Sequence, residues 1–134
     1  MLLPTLIEEK ASLAVDHFLL TTTDELLVSD FSAAEVASAL SRPVRMYQLD
    51  TTDAKARLSD FDVWRASMTS APELSGADAR LAGVFVRRFE LLLRAPDALH
   101  AAFCRRLDLT LVTLDKRLAQ AAGTLGLRVE VPAP

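Results

Sequence analysis

Cysteine is almost absent from this sequence: Cys104 is the only one in 134 residues, so no internal disulfide can form. Histidine is nearly as scarce, with only His17 and His100, and no Cys/His array has the spacing of a zinc site. Long apolar runs are missing too. Although 51% of the residues are apolar, Asp, Glu or Arg interrupts every run well short of the roughly 20 residues that span a bilayer. The N-terminus has neither the basic start nor the small-residue cleavage site of a signal peptide. No internal repeat or low-complexity stretch occurs. These absences argue against a disulfide scaffold and a helical membrane protein. They lead to the expectation of a cytoplasmic protein without membrane association, folded as a single domain over 1–134.

A general excess of positive charge is also lacking, since the net charge is −3. The charges are nevertheless uneven. Met1 to Ala79 holds 13 acids against 6 bases, whereas Arg80 to Pro134 holds 9 bases against 5 acids. Twelve of the fifteen cations are arginine, which suits bidentate phosphate contacts, although a coding bias gives the same excess. Arg87, Arg88, Arg105 and Arg106 are candidates to line an RNA path; a solvated basic face is the plainer alternative.

What is present is most informative between Arg94 and Leu118. Pro96 suits the first turn of a helix, and Ala98, Leu99, Ala102, Phe103 and Leu107 follow at helical spacing, predicting a helix over Pro96–Leu107. Asp97 then sits in the first turn, where exposed N–H groups favour negative charge. Leu109–Leu114 reads as a strand buried on both faces. Asp115 lies just past its end and can cap a helix over Lys116–Leu125, which fades before a last strand at Leu127–Val131. In an open parallel sheet, ligands gather outside the carboxyl ends of the strands. An aspartate at that edge, near another at a helix start, can hold a divalent cation. Cys104, among small and aromatic neighbours on the first of these helices, reads as a buried inert thiol. His100, three residues after Asp97, reads as a packing residue rather than an acid or base.

Upstream, an amphipathic helix is predicted over Pro4–Leu20, with Leu6, Leu13, Val15, Phe18 and Leu19 as its apolar residues and His17 at its surface. Leu26–Val28 reads as a short strand, after which Ser29 or Asp30 caps a helix over Phe31–Leu40 that Pro43 ends. Glu35 is the only acid on that helix, which is apolar nearly all round. A buried carboxylate needs a partner or a metal; pairing with Arg42, or exposure over small alanines, is the alternative. Thr51 or Thr52 is expected to cap Asp53–Trp64, whose stripe is Ala54, Leu58, Phe61 and Trp64. Met68–Ser70 suits a short edge strand. Ser75 caps a helix over Ala77–Glu90 with Leu81, Val84, Phe85 and Phe89 facing inward.

Glu35, Asp97 and Asp115 together suit a hard cation such as Mg²⁺ or Mn²⁺. At this point the sequence resembles the PIN-domain family, in particular the VapC-type toxins of bacterial toxin–antitoxin pairs. The resemblance rests on S-D-F-S-A-A-E-V-A-S-A-L at Ser29–Leu40, R-A-P-D-A-L-H-A-A at Arg94–Ala102 and T-L-V-T-L-D-K-R-L-A at Thr110–Ala119. It implies an α/β three-layer fold with a parallel sheet flanked by helices, metal-dependent endoribonuclease activity on RNA, a homodimer and a cognate antitoxin. Carried over by motif, Glu35, Asp97 and Asp115 match the family's second, third and fourth acids. Thr113 matches a hydroxyl residue beside the last acid, and Arg94 a residue that helps position carboxylates or phosphate.

The resemblance implies an opening central strand that ends in aspartate, and this sequence begins at M-L-L-P, just beyond where that segment should lie. The first central strand and first acid are therefore expected to be missing. Either the reading frame starts further upstream, or the protein lacks both and another segment or chain must pair the neighbouring strands. Asp16 and Asp30 stand in contexts that do not match the first acid. A degenerate, non-catalytic PIN-like module that binds an antitoxin or another protein is the competing reading. A phosphoacceptor receiver domain fits less well, because its early acidic pair and late Lys before Pro are absent.

Overall fold

A computed structural model describes residues 12–133 of the chain, and its contacts divide it into a unit ending at Glu73 and a unit beginning at Leu74. The elements of the N-terminal unit are α1 (Ser12–Thr21), β1 (Leu26–Leu27), α2 (Asp30–Arg45), α3 (Thr51–Met68) and β2 (Thr69–Ser70). Those of the C-terminal unit are α4 (Gly76–Val86), a 3₁₀ turn (Phe89–Leu91), α5 (Ala95–Leu107), β3 (Leu111–Val112), α6 (Lys116–Thr124) and β4 (Val129–Glu130).

In the N-terminal unit, β1 and β2 pair in parallel, with Leu26 opposite Thr69 and Leu27 opposite Ser70. The Val28 N–H extends the ladder by donating to the Ser70 carbonyl at 2.9 Å. Ser29 caps α2, its Oγ accepting from the Ser32 N–H at 3.0 Å. The predicted end at Pro43 does not hold: α2 runs through Pro43 to Arg45. Proline cannot donate to the carbonyl one turn back, but it leaves the following N–H groups free, and Met46 still donates to the Arg42 carbonyl at 3.0 Å. For α3 the cap is Asp50 rather than Thr51 or Thr52, because its Oδ1 accepts from the Thr52 N–H at 3.2 Å and starts the helix two residues early. Val28, Val36 and Phe61 form the core, with Ala33, Leu58 and Trp64 packed against it.

Of the predicted N-terminal helix, residues 4–11 lie outside those described. Along α1 the buried positions are Ala14 and Val15, while Leu13 is exposed. His17 is at the surface as expected. Asp30 accepts a 2.8 Å contact from Arg65, which also donates to the Val28 carbonyl, so this carboxylate fastens the strand to α3.

In the C-terminal unit, β3 and β4 pair in parallel, Leu111 opposite Val129 and Val112 opposite Glu130. Ser75 caps α4 through a reciprocal box: its hydroxyl accepts from the Ala77 N–H, and Asp78 Oδ2 accepts from the Ser75 N–H at 2.9 Å. One core cluster joins α4 to α5 through Ala82, Phe85, Ala98, Ala101 and Ala102. These alanines let the helices approach closely. A second cluster sets Cys104 and Leu111 against Leu118 and Ala122.

The inward stripe predicted for the α4 region is only partly realised. Helix α4 stops at Val86, where the Arg87 and Arg88 N–H groups bond back to Gly83 and Phe85. The next turn is 3₁₀, and the break in helical phase leaves Phe89 at the surface, with Val84 also exposed. Leu91 turns inward in their place. Leu92 follows with φ 56°, in the left-handed region that costs a branched residue about 1 kcal/mol.

Candidate functional site

A pocket of about 560 Å³ lies within the C-terminal unit, lined by Leu92, Leu93, Arg94, Asp97, Asp115, Arg117 and Leu118. Its polar residues come from two helix starts. Asp97 and the neighbouring Arg94 belong to the start of α5, where Pro96 occupies the first turn. Asp115 is the cap of α6, and Arg117 lies in its first turn.

The position of Asp115 is fixed by bonds its own neighbourhood supplies. Its Oδ1 accepts from the Arg117 N–H at 2.9 Å and the Leu118 N–H at 3.1 Å. Its own N–H donates to Oγ1 of Thr113 at 3.0 Å. Thr113 is buried and held by the sheet, its N–H donating to the Glu130 carbonyl. Thr113 thus ties down the main chain at Asp115. The second carboxylate oxygen of Asp115 accepts no hydrogen bond among the described residues.

Asp97 is held more loosely. Arg94 Nε stands 3.8 Å from its Oδ2, too far for a hydrogen bond, and the Arg94 side chain is 84% exposed. No hydrogen bond engages the Asp97 carboxylate among the described residues. The two aspartates therefore offer hard oxygen donors over a leucine-lined floor.

Glu35 belongs to the other unit, half-buried on α2, where Val36 and Leu40 form the buried face and Ala34 and Ala37 are exposed. The helix is therefore not enclosed all round. Among the described residues no group of three or more His, Cys, Asp or Glu is gathered closely enough to hold a metal ion. An all-oxygen pair still suits Mg²⁺ or Mn²⁺, since such ions bind through one or two carboxylates, retain waters and take the rest from substrate phosphate.

The predicted arginine path is largely committed elsewhere. Arg106 grips Asp78, its Nε donating to Oδ1 at 2.7 Å and Nη2 to Oδ2 at 2.9 Å, and the Asp78 side chain is fully buried. Those hydrogen bonds hold the Asp78 carboxyl below its ordinary range, outweighing burial, and raise the Arg106 guanidinium in return. Arg105 lies 5.5 Å over the Phe85 ring and donates to the Leu125 carbonyl. Arg88 pairs with Glu90 at 2.9 Å. Arg87 alone of the four has no side-chain partner among the described residues. Sequence reasoning missed Arg117, whose place two residues past the cap Asp115 was the available signal.

Cys104 is buried and its thiol is pushed up to about 11 by desolvation, which leaves it a packing residue. His100 is half-buried on α5.

Helices and short parallel strands define an α/β protein, whose C-terminal unit carries a pocket lined by two carboxylates and two guanidiniums. The PIN domain model matches residues 5–124, so the chain belongs to the PIN-domain family and has its α/β fold. That family points to a nuclease-type function acting on RNA. No curated protein matches the chain. Among the described residues no helix is long and apolar enough to cross a membrane.

Proposed function

We propose that the chain is a divalent-metal-dependent endoribonuclease of VapC type, the toxin of a type II toxin–antitoxin pair. In this reading it works in the cytoplasm as a single-domain subunit of a homodimer, restrained by a cognate antitoxin. One observation carries the nuclease part: in a PIN-family chain, Asp97 and Asp115 share a pocket with Arg94 and Arg117, and among the described residues no acid hydrogen-bonds either guanidinium. The toxin role rests on the three motifs quoted above.

Asp97 and Asp115 are the residues that would hold Mg²⁺ or Mn²⁺. When bound, such an ion supplies Lewis-acid polarisation of a phosphodiester and lowers the pKa of an attacking water. Thr113 keeps Asp115 from rotating away by accepting its N–H. Arg94 and Arg117 present planar forks suited to non-bridging phosphate oxygens. Leu92, Leu93 and Leu118 supply the apolar part of the pocket lining.

Asp97→Asn should lower Mn²⁺-dependent cleavage of a single-stranded RNA on the order of 10³-fold and relieve growth arrest on expression; undiminished cleavage rejects the assignment. The family motif adds Glu35 as a further ligand, to be tested as Glu35→Gln in the same assay. A calorimetric Mn²⁺ titration separates the enzyme from a non-catalytic protein-binding module, because only the enzyme requires uptake that depends on Asp115.

A further inference from the structure

We infer that Arg94 is the resident counter-ion of Asp97, which yields its place when a divalent cation binds and therefore sets how tightly the pocket takes the metal. This rests on the metal-dependent reading and adds to it what governs entry to the site. The two carboxylates of the pocket are compensated in different ways. Asp115 has Oδ1 fixed by the Arg117 and Leu118 N–H groups, which cannot leave without unwinding the start of α6. Asp97 is paired with Arg94 alone among the described residues, Nε standing 3.8 Å from Oδ2. Only the second kind of compensation can move.

The two partners differ in freedom. The Asp97 side chain is 24% exposed, whereas that of Arg94 is 84% exposed and makes no capping bond to α5. At 3.8 Å the contact is one of charge rather than a hydrogen bond, so no directional bond breaks when the guanidinium swings out. Its place in the chain also works against it. Arg94 immediately precedes the first turn of α5, where unpaired N–H groups and the helix dipole favour negative charge and disfavour positive. The seam of the same unit shows the alternative: Arg106 holds Asp78 through two short hydrogen bonds and is not displaceable in this way. A hard dication approaches a carboxylate oxygen to about 2.1 Å with twice the charge of a guanidinium, so it wins the exchange by Coulomb attraction alone. Arg94 then stands beside the occupied carboxylates with its planar fork open, the form that grips phosphate oxygens. The same side chain guards the empty site and serves the filled one.

The test is calorimetric titration of the full chain with MnCl₂, comparing wild type, Arg94→Gln and Arg117→Gln. Glutamine keeps a polar side chain and removes the charge. Arg94→Gln is expected to bind Mn²⁺ about threefold more tightly, the scale of an exposed ion pair that no longer competes. Arg117→Gln, which removes a charge from the same pocket but none that pairs with an acid, should shift the constant less than half as far. A role for Arg94 confined to phosphate leaves metal affinity unmoved, so wild-type affinity in Arg94→Gln overturns the inference. Weaker binding overturns it as well, because Arg94 would then support the site rather than compete for it. Equal tightening by both variants does the same, by assigning the effect to the general positive charge of the pocket. The two readings fail distinguishably. Wild-type protein with no Asp115-dependent uptake removes the metal reading and this inference with it; uptake that requires Asp97 and Asp115 but ignores Arg94 removes this inference alone.

Discussion

Two places in the C-terminal unit are built from the same side chains and use them in opposite ways. At the α4–α5 seam, Asp78 and Arg106 form a buried bidentate pair, and the Ser75 N–H also donates to the carboxylate. In the pocket, Asp97 and Arg94 stand 3.8 Å apart, and neither Asp97 nor the second oxygen of Asp115 is hydrogen-bonded among the described residues. The difference is one of satisfaction. A buried carboxylate with both oxygens hydrogen-bonded is structural, because removing a donor exposes a desolvation cost. The pocket pair, at ion-pair distance but not hydrogen-bonded to each other, is bound far less tightly than the seam pair.

Substitutions that exchange these behaviours should have effects of very different size and kind. The largest is at the pocket: Asp97→Asn should lower the metal-dependent cleavage rate on the order of 10³-fold, since metal charge stabilisation is worth several kcal/mol, and leave the urea midpoint nearly unchanged. At the seam the pattern inverts. Asp78→Ala should cost about 3 kcal/mol of stability, read from urea unfolding, while a protein kept folded retains its RNA affinity.

The pH dependence follows from the same contrast. Because Asp78 titrates lower when folded than when unfolded, its contribution is fully present above the unfolded value, about 3.9. It is lost as pH falls through the lower folded value. Stability measured by circular dichroism should therefore decline below about pH 4, and Asp78→Ala should flatten that decline; an unchanged acid limb would show the seam does not govern it.

Smaller effects lie at the edges. Ser75→Ala should cost about 1 kcal/mol by removing the cap that also orders Asp78. Arg128→Ala, which breaks a solvent-exposed pair with Asp108 at 3.1 Å, should change stability by at most about 0.5 kcal/mol.

The sequence made the helix starts and their caps readable because capping is a local event. Ser29, Ser75 and Asp115 each bond to an N–H two or three residues away, and each was visible in the residue order. Asp50 was passed over because threonines at 51 and 52 compete for the same role. Where the structure departs, the cause is tertiary or depends on phase. Asp78 and Arg106 lie 28 residues apart, and no local pattern pairs them. Phe89 continues a helical stripe on paper, but the helix ends at Val86 before reaching it; Val84 lies inside the helix on its exposed side. In the pocket, the residue order placed Asp97 at a helix start and Asp115 past a strand end. That both line one cavity with Arg117 emerges only from the packing of α5 and α6.

Cys104 carries a practical consequence. Its thiol is buried against Leu111 and Leu118 and pushed up to about 11, so a soluble disulfide reagent finds neither access nor thiolate while this core is closed. Because the chain has no other sulfhydryl, the rate at which such a reagent reacts is a clock for the opening of one defined place in the molecule, free of background from anywhere else. The chain has a label of its own for timing how often its C-terminal core comes apart.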